Sequence, residues 1–350
     1  MRLRERLAEI IRQSGPMSVD AYMTHCLHDP QDGYYATRPA IGAGGDFITA
    51  PAISQMFGEL IGLWAAECWS RLGCPARVIL AEAGPGDGTL MSDVLRAARA
   101  APDFLAAAEV WMVEVSPPLE ALQRIRLGER PHWVRAVADL PGDAPLIFIA
   151  NELLDCLPAR QFLRTEAGWR ERLVGLNDAG DLAFGLRAAE LGLGIDAPPG
   201  TVMETAPSQQ ALAAELGGRL ARQGGAALLI DYGRAEQGMG DTLQALKAHA
   251  KVDPLACPGE ADLTVHADFP AVMAAAEAQG ARAAIMTQSE FLGRLEIGVR
   301  ADALCAARPD RADTIRRQLH RLTAADQMGD LFKACCLHSP GWTPPGFETP

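Results

Sequence analysis

The stretch Arg77–Leu90, R-V-I-L-A-E-A-G-P-G-D-G-T-L, constrains the fold more than any other part of the chain. Val78-Ile79-Leu80-Ala81 is a short apolar run bounded by turn signals, which reads as a buried strand. Glu82 stands at its end. Gly84, Gly86 and Gly88 follow at alternate positions around Pro85, and Thr89 is placed to cap a helix beginning near Leu90. Without Cβ, a backbone turns tightly and lets a ligand lie directly against it. The helix start beyond offers unpaired N–H groups and a positive dipole end. The competing reading is an ordinary glycine-rich strand-to-helix turn.

The loop is of nucleotide type, and its spacing narrows the ligand. The dinucleotide fingerprint G-x-G-x-x-G puts its third glycine where Thr89 stands, and the phosphate loop G-x-x-x-x-G-K-[ST] needs a lysine that is missing. The pattern E-x-G-x-G-x-G instead resembles motif I of class I S-adenosylmethionine (SAM) methyltransferases. SAM carries no phosphate, so its loop needs close approach more than anion binding. A second run, V-W-M-V-E-V-S-P at 110–117, reads as another buried strand ending in Glu114, with Val115 and Ser116 beside it. In doubly wound sheets an acid at that position takes both hydroxyls of one ribose. A solvated acid at a strand end is the plainer alternative, and the glycine loop between the two strands favours the ribose.

The net charge of −12 argues against general nucleic-acid or anionic-membrane binding and leaves room for a local basic patch. No apolar run approaches the roughly 18 residues of a spanning helix, and no signal peptide is evident. The eight cysteines form no C-x-x-C pair and no zinc spacing. No metal is expected, and His25, Cys26 and His28 are read as packed or exposed side chains on a helix. Cys335-Cys336 lie in an apolar run and read as small hydrophobes. Reduced thiols and a bacterial cytoplasmic address follow.

In chain order, 2–14 and 18–28 read as helices, 41–51 as a glycine-rich loop and 52–72 as a long apolar helix. Residues 1–75 are therefore expected to form a helical lid subdomain over the cofactor. Residues 76–350 form the methyltransferase domain, with insertions at about 159–205 and 233–266. Its further strands are expected near 132–137, at Pro145–Ala150, Gly225–Tyr232, 281–286 and 331–337. Helices are expected at Met91–Ala101, 207–222, 269–279 and 309–322. The fold class is α/β, a Rossmann-like, mostly parallel sheet flanked by helices. Ligands of such sheets bind outside the carboxyl ends of the strands. Asn151, Glu152 and Asp155 should then share a crevice with Glu82 and Glu114.

Across most of its length the chain resembles the MidA family, which includes the mitochondrial complex I assembly methyltransferase and bacterial relatives. The matching stretches are 45–59 (G-D-F-I-T-A-P-A-I-S-Q-M-F-G-E), 82–90, 113–117, 151–162 (N-E-L-L-D-C-L-P-A-R-Q-F), 230–233 (I-D-Y-G) and 261–269 (A-D-L-T-V-H-A-D-F). Two departures stand out: Asp87, where the family usually has Arg or Lys, and Ala52, where it usually has Glu. The resemblance implies SAM as methyl donor and, in the mitochondrial member, symmetric dimethylation of an arginine on a complex I subunit.

Methyl transfer from a sulfonium is an in-line displacement whose catalysis is mostly positioning. A guanidinium acceptor stays protonated near neutrality, so carboxylates must orient it and accept a proton. Glu152, Asn151, Asp155 and Asp231 are the candidates, with hydrogen bonding inside loops as the rival role. The cofactor set is Glu82, Gly84, Pro85, Gly86, Gly88, Thr89, Glu114, Val115 and Ser116, with Asp46 and Thr49 placed to cap it from the N-terminal loop. The partner is a protein substrate. Competing readings are a methyltransferase with another acceptor, a SAM-binding assembly factor without catalysis, and an NAD enzyme, which Thr89 opposes. Nothing sets the oligomeric state, and a homodimer stays open.

Overall fold

The computed structural model describes residues 2–37, 49–189 and 195–348. Its centre is a sheet whose main strands are β1 (Val78–Ala83), β2 (Ala108–Val113), β3 (His132–Val134), β4 (Leu146–Asn151), β5 (Gly225–Arg234), β6 (Arg282–Thr287) and β7 (Phe332–His338). Across the sheet they run β6-β7-β5-β4-β1-β2-β3, and a two-residue strand, Ala267–Asp268, pairs with the end of β5. From β5 through β3 all pairs are parallel, while β7 runs antiparallel to both β5 and β6. This is the expected mostly parallel sheet flanked by helices.

The apolar strands form the centre because both faces are covered. Side chains alternate along each strand. Leu80, Ile147 and Leu228 face one core, shared with Phe57 and Trp64 of the helix Gln55–Arg71. Ile79, Phe148 and Leu229 face the other, shared with Leu216 of the helix Pro207–Gln223 and Phe269 of the helix Phe269–Glu277. Cys335 and Cys336 are fully buried on opposite faces of β7.

A third core lies above the carboxyl ends of the strands. The helices Leu3–Ser14 and Val19–His28 contribute Leu7, Tyr22, Met23 and Leu27. They pack on Val174 of a five-stranded antiparallel sheet and on Ala245 and Leu263 of a three-stranded one. The first small sheet pairs Met17–Ser18 with strands between Arg160 and Thr205; the second uses Gln244–Lys247, Ala250–Val252 and Asp262–Thr264. Segments distant in sequence thus build one cap over the sheet edge.

Several elements differ from the sequence expectation. The helix expected at 52–72 is broken: a short turn Ala50–Ile53 ends at Ser54, whose extended backbone and side chain, accepting from Met56 N, start the helix Gln55–Arg71. The helix after the glycine loop is Thr89–Ala97. The third strand stops at Val134 and gives way to a 3-10 turn, Val137–Asp139. Helices Gln288–Arg294 and Ile297–Ala307 lie outside the expected elements: Gly293 and Gly298 interrupt the helical pattern, and Glu296 between the two helices takes a left-handed backbone.

Candidate active site

The sheet switches direction between β1 and β4, where the chain, having gone outward through β2 and β3, returns to the other side of β1. Ligands of open α/β sheets bind at that switch. The glycine loop leaves β1 there with Gly84, Gly86 and Gly88 all in the left-handed region, at φ of 62°, 53° and 82°. A Cβ on Gly84 would meet Leu153 Cδ1 at 3.0 Å. The residue capping the next helix is Gly88, and Thr89 is the first helical residue. Asp87 takes the capping role expected of Thr89: its Oδ1 accepts from Thr89 N at 3.0 Å and from Thr89 Oγ1 at 2.7 Å. Arg126 pairs with Asp87 at 2.9 Å, so the unusual acid brings its own cation.

Gly84 divides two recesses. The larger, about 700 Å³, is mostly apolar and lies under the N-terminal helices, lined by Leu27, His28, Tyr35, Glu114, Val115, Ser116, Leu153 and Leu157 among others. Glu114 is buried there. Its Oε1 accepts from Ser116 N at 2.7 Å and its Oε2 from Gln123 Nε2 at 2.9 Å. Burial raises its carboxyl above the ordinary range, and these bonds oppose the rise. A carboxylate has about four acceptor sites, so each oxygen retains room for a further donor. Ser116 Oγ donates to Tyr35 O at 2.7 Å and also receives Leu119 N, which ties the N-terminal segment to the start of a helix. Val115 is largely exposed.

The smaller recess is lined by Thr49, Pro51, Ala52, Glu82, Pro85, Gly86, Asp87, Thr89, Asn151 and Glu152. Glu82 is 2 % exposed and its Oε2 has no hydrogen-bond partner. Burial, with Asp87 and Glu114 nearby, pushes its carboxyl up to about 8. Asn151 donates from Nδ2 to Glu152 Oε1 at 3.1 Å and leaves its buried Oδ1 without a partner. Glu152 has a left-handed backbone, φ 53°, held by its N–H donating to Ile230 O at 2.8 Å. Its Oε1 also accepts from Ala50 N at 3.2 Å. Burial pushes it up to about 7.

Asp155 and Asp231 stand behind this recess and line neither cavity. Asp231 is fully buried. Its Oδ2 accepts from Leu154 N at 2.8 Å and Asp155 N at 3.2 Å, and its Oδ1 from Tyr232 N at 2.8 Å. Asp155 is buried beside it and pushed up to about 7, first by burial and then by Glu152. Asp46 lies outside the described residues. Among those described, no cluster of three or more His, Cys, Asp or Glu side chains could hold a metal ion.

The family model described as a putative S-adenosyl-L-methionine-dependent methyltransferase matches residues 60–287. The chain belongs to this family. It is 34 % identical to the Danio rerio "Protein arginine methyltransferase NDUFAF7, mitochondrial", over 94 % of this chain and 85 % of that one. The Homo sapiens protein of the same name is also 34 % identical, over 93 % and 81 %. Among solved structures, a Burkholderia thailandensis protein bound to S-adenosyl-homocysteine superposes with a TM-score of 0.86 at 29 % identity, covering 99 % of this chain and 92 % of that one. The methyltransferase is thus SAM-dependent, and its site fits that cofactor. The unpartnered buried oxygen of Glu82 suits a cation, and Gly84, bare of a side chain, lines both recesses.

One expectation is corrected here. The curated relatives are mitochondrial proteins, so the bacterial cytoplasmic address does not stand. Free thiols report a reducing environment and cannot tell one reducing compartment from another. No helix among the described residues is long and apolar enough to cross a membrane.

The sequence reading missed Gln123. It is fully buried and donates from Nε2 to both Gly86 O, at 2.7 Å, and Glu114. Its Oε1 accepts from Trp133 Nε1 at 2.9 Å. Glutamine on an amphipathic helix ordinarily faces solvent, so the sequence carries no signal for this link between the glycine loop and Glu114.

Proposed function

We propose that this methyltransferase modifies arginine in a protein, and that the acceptor is a subunit of a respiratory complex I-type assembly, as the likeness to the MidA family and to named protein arginine methyltransferases implies. The observation that carries the arginine reading is the pair of acceptors at one end of the smaller recess, the free Oδ1 of Asn151 and the carboxyl of Glu152 beside it, with the unpartnered Oε2 of Glu82 in the same recess. Such a set selects a cationic group rich in N–H donors.

When bound, SAM supplies a methyl group activated by a positively charged sulfur. Glu82 turns its unpaired oxygen toward that positive charge, and Glu114 receives ribose hydroxyls alongside its bonds to Ser116 and Gln123. Asn151 Oδ1 accepts one N–H of the guanidinium, and Glu152 pairs with another. As the nitrogen bonds to the methyl carbon and the carbon–sulfur bond breaks, Glu152 takes the proton the nitrogen loses. A carboxyl held near 7 is matched to that duty. Asp231 and Asp155 are positioning residues in this reading, because Asp231 fastens the backbone that presents Asn151 and Glu152. The helices Leu3–Ser14 and Val19–His28 serve as the lid, with Thr49 at the rim of the recess, while the helix Gln55–Arg71 belongs to the core under the sheet.

Incubating the protein with radiolabelled SAM and a lysate of its own host tests the reading. One labelled protein band carrying methylarginine is expected. Label confined to small molecules, or to other side chains, would replace the acceptor assignment.

A further inference from the structure

A third recess, about 310 Å³, opens beside the site and belongs to none of the chemistry above. Its walls are Ala52, Ile53, Ser54 and Gln55 on one side and Leu304, Arg308, Arg311, Ile315 and Gln318 on the other. Ala52 lines both this recess and the one holding Asn151 and Glu152, so the two adjoin at that residue. The outer wall is the helix Ala312–Thr323 and the turn before it, which pack against Ala50–Ile53.

This wall is basic in an acidic protein. Residues 308–321 carry five arginines against two aspartates, whereas the whole chain has a net charge of −12. Asp310 pairs with Arg308 and Asp313 with Arg316, both on the surface. Arg311 and Arg321 have no side-chain ion pair or hydrogen bond among the described residues, and both are exposed. The field of Arg321 reaches Glu152, where it favours the ionised form. Uncompensated guanidinium groups beside a slot with apolar floor residues form a surface for carboxylates presented on an extended chain.

We propose that this groove docks the segment of the protein substrate that flanks the methylated residue, and that it selects acidic side chains there. The inference rests on the acceptor being a protein, as argued above. The arginine to be modified enters the recess of Asn151 and Glu152, while an aspartate or glutamate of the same segment pairs with Arg311, whose guanidinium has no partner among the described residues. The division of labour follows from charge: acids at the reaction centre take the guanidinium, and bases at the groove take its acidic neighbours.

Fluorescent peptides test it, each with one arginine flanked on both sides by two aspartates, two asparagines or two lysines. Binding is measured by anisotropy on protein loaded with S-adenosylhomocysteine. The aspartate peptide should bind about five-fold more tightly than the asparagine one. That advantage should shrink as salt rises to roughly 0.5 M. The Arg308→Glu/Arg311→Glu variant should bind S-adenosylhomocysteine normally and prefer the lysine peptide. Should that variant not fold, Arg311→Gln and the salt series on the unaltered protein carry the test. Equal affinity for the three peptides, or an unchanged preference in the variants, overturns the proposal. So does salt-sensitive binding to phosphatidylglycerol vesicles with no discrimination among peptides, which would make the patch a membrane surface. With SAM supplied in place of S-adenosylhomocysteine, tight binding of the aspartate peptide without methylation of its arginine would uphold the groove and sink the arginine assignment instead.

Discussion

The two recesses on either side of Gly84 are built on opposite principles. In the larger, Glu114, Ser116 and Gln123 bond to one another, to Gly86 and to the N-terminal segment. In the smaller, Glu82 and Asn151 each keep a buried oxygen with no partner, and Glu152 sits on a strained backbone. Buried acceptors are nearly always satisfied, so two orphans in one recess need an explanation. A closed network is a preformed mould for a neutral, hydroxyl-bearing group. Open acceptors hold a cost that only an incoming cation or N–H donor removes. In the proposed reading the first side binds and the second reacts.

The harshest way to break this contrast is to destroy the glycine loop, which borders the smaller recess and is tied through Gln123 to the network of the larger. Gly86→Val places a β-branched side chain where φ is 53° and the backbone borders the ligand recess. Calorimetry should show no heat for SAM or S-adenosylhomocysteine while circular dichroism remains native. An unchanged affinity in a folded variant would mean that the loop is not the cofactor site.

The reacting side is tested alone by Glu152→Gln. The amide keeps an oxygen for Ala50 N and Asn151 Nδ2, so the loop stays braced, but the proton acceptor is lost. Single-turnover transfer should fall by ~100-fold or more, the scale of a lost acid–base group, with SAM affinity nearly intact. If Glu152 only braces its loop, the melting temperature drops and the rate per folded molecule does not change.

The binding side is tested by Glu114→Ala. Hydrogen bonds to a charged acceptor are worth ~1.5–3 kcal/mol each, so SAM affinity should weaken roughly ten-fold or more. Chemistry at saturating cofactor should be much less affected. A dissociation constant within error of the unaltered protein would remove the ribose assignment and much of the contrast with it.

The contrast also marks where sequence reading stops. The strand–glycine–helix run at 77–90 and the acid closing β2 were legible because both are local: period, terminus and spacing lie within a dozen residues. Asn151 and Glu152 were legible as residues at a strand's carboxyl end, which the topology of open sheets turns into a location. Gln123, Tyr35 and Leu153 were not, since their partners lie on other elements and nothing in their own neighbourhood distinguishes them from packing residues. The same limit explains Thr89. A threonine at a helix start usually caps, but here Gly88 holds the cap position, Thr89 is already helical, and Asp87 accepts from both the N–H and the hydroxyl of Thr89. The segment at 233–266 read as an insertion without periodicity because its three strands are too short to show alternation, and they exist by pairing with each other.

The smallest expected effect, and the sharpest on the unpartnered side, is the proton on Glu82. Its carboxyl is raised from 4.5 to about 8 by burial, so in the ligand-free fold it holds a proton that the unfolded chain releases above about 4.5. A group with a raised folded value contributes stability at low pH and loses it as pH climbs through the folded value. The melting temperature of the free protein should therefore fall between about pH 5 and about pH 8, by roughly a few degrees. The Glu82→Gln variant should show a shallower fall. Glu152 and Asp155, both near 7, add a fall of the same sign, but they are present in both proteins and cancel in the difference. A cation entering the recess reverses the preference, because it favours ionised Glu82. SAM binding at neutral pH should then release protons, and more of them from the unaltered protein than from Glu82→Gln. Calorimetry in two buffers of different ionisation enthalpy counts them. Equal proton release and equal pH slopes in the two proteins would show that the free oxygen of Glu82 does not face the cofactor's charge, and the reacting side would then rest on Asn151 and Glu152 alone.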